Sequence, residues 1–153
     1  MRRFFLLITG LALILSTCNA LAVEIIDTQG NVIYFTHDIS LFEESWYVYK
    51  IDGKTGSILW KTSMPTPTSP AIFLDKKNNI ILAGKYEFPY LRKYSGATGQ
   101  MIWEIDLQDV YMLDTQLDKN GNPIISAYLE GARQVIKFDG VTGKKIWSQE
   151  IEY

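Results

Sequence analysis

The stretch Lys50-Ile51-Asp52-Gly53-Lys54-Thr55-Gly56-Ser57-Ile58-Leu59-Trp60 decides the fold, because it recurs twice more along the chain. It returns as Lys93-Tyr94-Ser95-Gly96-Ala97-Thr98-Gly99-Gln100-Met101-Ile102-Trp103 and as Lys137-Phe138-Asp139-Gly140-Val141-Thr142-Gly143-Lys144-Lys145-Ile146-Trp147. Lys, Gly, Thr, Gly and Trp hold the same places in each copy, and the tryptophans lie 43 and 44 residues apart. A fixed period of that size marks a repeat architecture. Gly-x-Thr-Gly predicts a turn whose glycines supply the positive φ of a tight hairpin. The flanking residues alternate, so Lys and Trp fall on two paired strands. An indole repeated at one register predicts packing against the neighbouring repeat.

A second signal precedes each copy: Asp27-Thr28-Gln29-Gly30-Asn31, Asp75-Lys76-Lys77-Asn78-Asn79 and Asp118-Lys119-Asn120-Gly121-Asn122. Each runs at once into apolar residues, namely Val32 to Phe35, Ile80 to Leu82, and Ile124 with Ile125. Such Asp/Asn/Gly clusters form turns, because their side chains bond the local backbone and tolerate left-handed conformations. Every unit therefore reads as strand, Asp-x-x-x-Asn turn, strand, variable loop, strand, Gly-x-Thr-Gly turn, strand. A four-stranded antiparallel meander of this length is one blade of a β-propeller. The expected blades are approximately 23–64, 70–107 and 112–151.

The Asp/Ser-Gly-x-Thr-Gly-x-x-Ile/Leu-Trp block resembles the tryptophan-docking repeat of pyrroloquinoline quinone (PQQ)-type propellers. The Asp-x-x-x-Asn turn before an apolar strand, with Gly84 closing that strand in the second unit, is similar to the propeller repeats of exported bacterial proteins. The resemblance implies an all-β chain of three four-stranded antiparallel blades, a partial, open propeller. Its structural repeat positions are Gly53, Thr55, Gly56, Trp60, Gly96, Thr98, Gly99, Trp103, Gly140, Thr142, Gly143 and Trp147. The repeat assigns no chemistry, since such blades serve dehydrogenases and assembly scaffolds alike. The enzymatic members it resembles are rings of about eight blades. Their cofactor sits on residues drawn from many of those blades, with a catalytic aspartate, calcium ligands and often a vicinal disulfide. No cofactor or catalytic residue carries over to this chain, and the expectation is a non-catalytic binding or scaffold module without cofactor. It is analogous to the propeller lipoprotein of the outer-membrane barrel-assembly machinery. The alternative is a remnant of a PQQ-dependent dehydrogenase.

At the N-terminus, Met1-Arg2-Arg3 is a short positive region, Phe4 to Ser16 an apolar one, and Ala20-Leu21-Ala22 supplies small residues for a signal peptidase. Residues 1–22 are thus expected to be an export signal, with the mature chain starting at Val23 in the periplasm or secreted. Two readings rank behind it. Leu15-Ser16-Thr17-Cys18 resembles a lipobox, which would make the product an outer-membrane lipoprotein anchored through Cys18, and Arg2-Arg3 faintly resembles a twin-arginine signal. Cys18 is the only cysteine, so disulfides cannot stabilise the cleaved chain. Losing Arg2 and Arg3 leaves 13 basic residues against 17 acidic, a formal charge of −4 that disfavours nucleic acid as a partner.

Two local motifs resolve into plain structure. Asp118 to Asn122 resembles the start of a calcium loop, but Leu129 stands where a bidentate Glu is required, so a hairpin is expected and no metal. His37 is the single histidine, too few for a histidine metal site or a His-based nucleophile system.

Strand parity places the Asp-x-x-x-Asn and Gly-x-Thr-Gly turns at one end of each blade and the variable loops at the other. The turn end collects Lys54, Lys76, Lys77, Lys119, Lys144 and Lys145. The loop end collects acidic and aromatic residues, and there the candidate binding face is Phe42, Glu43, Glu44, Trp46, Tyr86, Glu87, Phe88, Tyr128 and Glu130. Variable loops on a constant scaffold are where binding usually resides. A sugar, a peptide or a protein fits such a face, set against the plain reading that aromatic loops cap the core. Three blades do not close a ring, and the outer flanks are expected to be apolar and to drive association. Either the chain is a fragment of a longer propeller, or two copies complete a six-bladed ring as a homodimer.

Overall fold

The computed structural model describes residues 23–39, 44–64, 70–84 and 89–152, with backbone alone at positions 23, 37–39, 44 and 45. The expected leader and, among the candidate face residues, Phe42, Glu43, Tyr86, Glu87 and Phe88 lie outside the described residues, as does the side chain of Glu44. Every element among the described residues is a strand: β1 (Val23–Ile26), β2 (Val32–Ile39), β3 (Glu44–Ile51), β4 (Ile58–Met64), β5 (Ala71–Leu74), β6 (Ile80–Gly84), β7 (Tyr90–Tyr94), β8 (Met101–Asp106), β9 (Val110–Leu117), β10 (Pro123–Leu129), β11 (Ala132–Phe138) and β12 (Lys145–Glu150). They form three four-stranded antiparallel meanders, β1 to β4, β5 to β8 and β9 to β12. The chain is a partial β-propeller, and these sheets are blades 1, 2 and 3.

The two repeated turns explain the register. In blade 1 the Asp27 carboxylate accepts from the Gln29 and Asn31 backbone N–H groups, while the Asn31 amide donates back to it at 3.0 Å. The same set recurs around Asp75 and Asp118. In the Gly-x-Thr-Gly turns, Asp52 and Asp139 accept from the following backbone N–H groups. Only the second glycine of each turn has positive φ, at Gly56, Gly99 and Gly143. The first glycine answers a different need. A Cβ on Gly53, Gly96 or Gly140 would lie 1.7, 1.9 or 2.2 Å from a carbonyl oxygen of the upstream turn in the same blade. The expectation that both glycines supply positive φ is therefore corrected: one bends the chain, and the other lets two turns meet.

Blades stack by their faces. Ile33, Phe35, Val48 and Met64 of blade 1 pack on Ile80, Leu82, Tyr90 and Tyr94 of blade 2. Ala83 and Leu91 of blade 2 pack on Met112, Ile125, Ala127, Ile136 and Phe138 of blade 3. Sandwiched β6 is buried at every position, which is why its sequence is apolar on both faces, whereas β12 is exposed throughout.

The outward flank of blade 3 departs from expectation. Register places Phe73, Ala71, Ala83 and Ile105 of blade 2 where blade 3 has Gln116, Asp114, Ser126 and Gln149. The face that blade 2 buries thus gains four polar side chains in blade 3, beside Ile124 and Val135. On blade 1 the outward flank carries Tyr34, Tyr47 and Tyr49, all half-buried, with ring centroids 6.4 and 6.2 Å apart and the Lys61 ammonium over Tyr47. On the same flank Ile26 and Ile58 are 67% and 61% exposed, so the expected apolar character persists on blade 1 and is interrupted by polar side chains on blade 3.

Candidate functional site

The chemistry-bearing side chains repeated in every unit converge at the turn end, between blades. Lys50 projects from β3 into a buried site, where its ammonium pairs with Asp27 at 2.9 Å and donates to the Gly96 carbonyl of blade 2 at 2.9 Å. Trp60 on β4 donates its indole N–H to that same carbonyl at 3.3 Å. The six-membered ring of Trp60 lies against Gly99, where any Cβ would stand 2.7 Å from it. Blade 2 repeats the arrangement on blade 3: Lys93 pairs with Asp75 at 2.7 Å and donates to the Gly140 carbonyl at 2.6 Å, and Trp103 donates to that carbonyl at 3.3 Å. One glycine carbonyl, with two lone pairs, thereby receives a lysine and an indole from the preceding blade.

Burying a lysine is costly unless its charge is paired and its protons are used. Both conditions hold at Lys50 and Lys93, each about 5% exposed. The electrostatics follow. Burial alone would raise the Asp27 carboxyl, but the Lys50 ammonium and the Asn31 and Gln29 N–H groups outweigh it and bring it down to about 2. Asp75 is lowered by the matching set, with burial again opposing Lys93, Asn79 and Lys77. Lys137, then Asn122, hold Asp118 well below the usual carboxylate range, so this carboxylate serves an ion pair and a hairpin.

Asn78 adds a further bridge. It takes the left-handed place that Gly30 and Gly121 hold in the sister turns, with φ of 60°. Its side-chain oxygen accepts from the Thr28 N–H of blade 1 at 3.2 Å, and its amide donates to the Thr28 hydroxyl at 2.8 Å.

At the opposite end, the described members of the candidate face separate. Trp46 is half-buried and stacked on Phe35, ring centroids 5.2 Å apart, so its ring belongs to the packing between blades 1 and 2. Tyr128 is exposed, and its cross-strand partner is Tyr111, which is 56% exposed on the same face. Glu130 and Gly131, with φ of 53° and 83°, form a two-residue hairpin turn between β10 and β11. That tight turn stands where a variable loop was expected. The lysines of the turn end, Lys54, Lys76, Lys77, Lys119, Lys144 and Lys145, are all exposed.

The ion pairs were missed from the sequence, although their signal was present: an aspartate opening each upstream turn and a lysine opening each repeat copy, three times over. Among the described residues, no group of three or more His, Cys, Asp or Glu is placed to hold a metal ion.

Comparison with known proteins agrees with this geometry. The solved BamB of Moraxella catarrhalis is similar to this chain at 15% identity and a TM-score of 0.58, over 84% of this chain and 37% of its own. A protein of unknown function from Bacteroides caccae is similar at 15% identity and a TM-score of 0.52, over 82% and 44%. The Dos1 propeller is similar at 12% identity and a TM-score of 0.52, over 85% and 42%. At these identities the likeness is one of fold, and the chain spans less than half the length of these structures. No curated protein sequence matches. The family model described as outer membrane protein assembly factor BamB matches residues 28–153, and the chain belongs to that family.

Proposed function

We propose that this chain is an exported, non-catalytic binding and scaffold module of the periplasmic side of the envelope, and that its partner is a protein. One observation carries the reading. Where the repeat brings lysine, aspartate, asparagine and tryptophan together, the latched copies use these groups to hold one blade to the next. The repeated groups of the turn end thereby serve structure, and the aromatic surface lies at the loop end. There Tyr111 and Tyr128 present an exposed aromatic pair beside Glu130, a composition that protein interfaces favour at their centres. Phe42, Glu43, Glu44, Tyr86, Glu87 and Phe88 extend that face in the sequence reading. The family description, an assembly factor for outer membrane protein, supports a protein partner over a sugar. Two copies of the chain pair to complete a six-bladed ring, presenting the face twice.

The experiment is affinity capture from a periplasmic extract with the full chain as bait. Tyr111→Ala/Tyr128→Ala is expected to lose a partner that Lys76→Ala/Lys119→Ala retains, because the second pair lies at the opposite end. Equal recovery by both variants would remove the face from consideration. Dye-linked alcohol or sugar oxidation on adding the quinone and calcium would overturn the non-catalytic assignment.

A further inference from the structure

The latch is directional, and among the described residues its donor half on blade 3 and its acceptor half on blade 1 meet no neighbouring blade. Blade 3 carries the donor half. Lys137 and Trp147 are direct cross-strand partners on its outward face, like Lys93 and Trp103 on blade 2. Lys137 pairs with Asp118 at 2.8 Å, as its sisters pair with Asp75 and Asp27, but no glycine carbonyl meets it among the described residues. Trp147 is 42% exposed. Blade 1 carries the acceptor half. A Cβ at Gly99 or Gly143 would meet an indole, whereas one at Gly56 would meet nothing within 4 Å. The Asp52 to Ser57 turn has the hydrogen bonds of the two occupied turns, so its Gly53 carbonyl is set on the same backbone.

We propose that the acceptor turn of a second copy of this chain docks on blade 3. Lys137 and Trp147 of one copy donate to the Gly53 carbonyl of the other, with the indole lying on Gly56. The inference rests on the pairing proposed above and specifies its chemistry. Two docked contacts, related by a twofold axis, close six blades into one ring. The composition of the two flanks fits this occupant. Internal blade faces mix aliphatic and aromatic side chains, whereas the faces brought together here set Gln116, Asp114, Ser126 and Gln149 beside Trp147 on blade 3, and Tyr34, Tyr47 and Tyr49 beside the exposed Ile26 and Ile58 on blade 1. Such surfaces endure water in the single chain and still supply hydrogen bonds and area on docking, which is the make-up of a reversible contact.

Sedimentation of the full chain tests the proposal. The wild type is expected to reach the mass of two chains at high concentration. Lys137→Met/Trp147→Ala and Gly56→Asn, the latter keeping a left-handed turn that asparagine tolerates while filling the place of the indole, are each expected to stay single. An equimolar mixture of the two variants is expected to form a one-to-one complex through its one intact contact, at least about tenfold weaker than the wild-type pair. Recovery in the mixture also shows that both variants fold. A wild-type chain that remains single overturns both pairing and latch. A pair that survives either variant, or a mixture that fails to pair although both variants unfold cooperatively, overturns the latch and leaves the pairing to be judged by the wild type. Pairing by Gly56→Asn alone overturns head-to-tail docking in favour of two blade 3 flanks meeting.

Discussion

Single atoms decide several substitutions here. Gly96 is held by contact, since its Cβ would overlap the Asn78 carbonyl at 1.9 Å, whereas Gly30 has φ of 83° and open space around it. Gly96→Ala is expected to cost about 3 kcal/mol and Gly30→Ala about 1 kcal/mol, compared by urea unfolding. Removing the ammonium of Lys93 leaves the Asp75 carboxylate largely buried without its partner. Lys93→Met is therefore expected to cost about 3 to 5 kcal/mol. The aspartates set the acid limit. Asp27 falls from 3.8 to about 2 on folding, so its contribution is fully present above pH 4 to 5 and is lost as pH drops through about 2. Asp75 and Asp118 are shifted the same way and add to that slope. Melting temperature measured from pH 6 to pH 2 should hold down to about pH 5 and fall below it, less steeply in Asp27→Asn; identical profiles would refute the role of this pair.

The three copies of the tryptophan strand make an internal comparison. Trp103 on β8 is half-buried with its indole N–H bonded, and Trp147 on β12 holds the same register with an exposed ring. Trp103→Ala is expected to cost about 3 to 5 kcal/mol, against about 1 kcal/mol for Trp147→Ala in the single chain. Equal losses in denaturant unfolding would mean that neighbouring blades contribute nothing to the indole. The register of these strands was legible, because the two-residue period and the turn glycines specify it locally. The acceptor of each indole was not, since Gly96 and Gly140 belong to the next unit and strand patterns carry no information about which carbonyl lies opposite. Trp46 shows the same limit: the sequence places it at the loop end in the candidate face, and only its stacking on Phe35 reveals a packing role.

Stability across the molecule should follow the number of flanks each blade has covered. Blade 2 is covered on both sides, and β6 is buried along its length. Amide hydrogen exchange is expected to be slowest in β6 and β7 and fastest in β12, whose residues are all exposed. The polar flank of blade 3 is expected to keep the chain in solution. Asp114→Ala/Gln149→Ile restores the apolar character that blade 2 has at these registers, and should produce irreversible aggregation seen by light scattering.

Periodicity alone determined that this is an all-β chain of three similar four-stranded units, because turn glycines, turn aspartates and alternating strands act over a few residues and repeat with the chain. What covers each unit was decided only in three dimensions. Whether Lys50 is an exposed charge or a buried latch depends on a carboxylate from an upstream turn and a carbonyl from the next blade, brought together by packing. The same holds for the flanks: the polar residues of blade 3 stand in its sequence, but only register across the sheet gathers Gln116, Asp114, Ser126 and Gln149 on the one face that blade 2 buries.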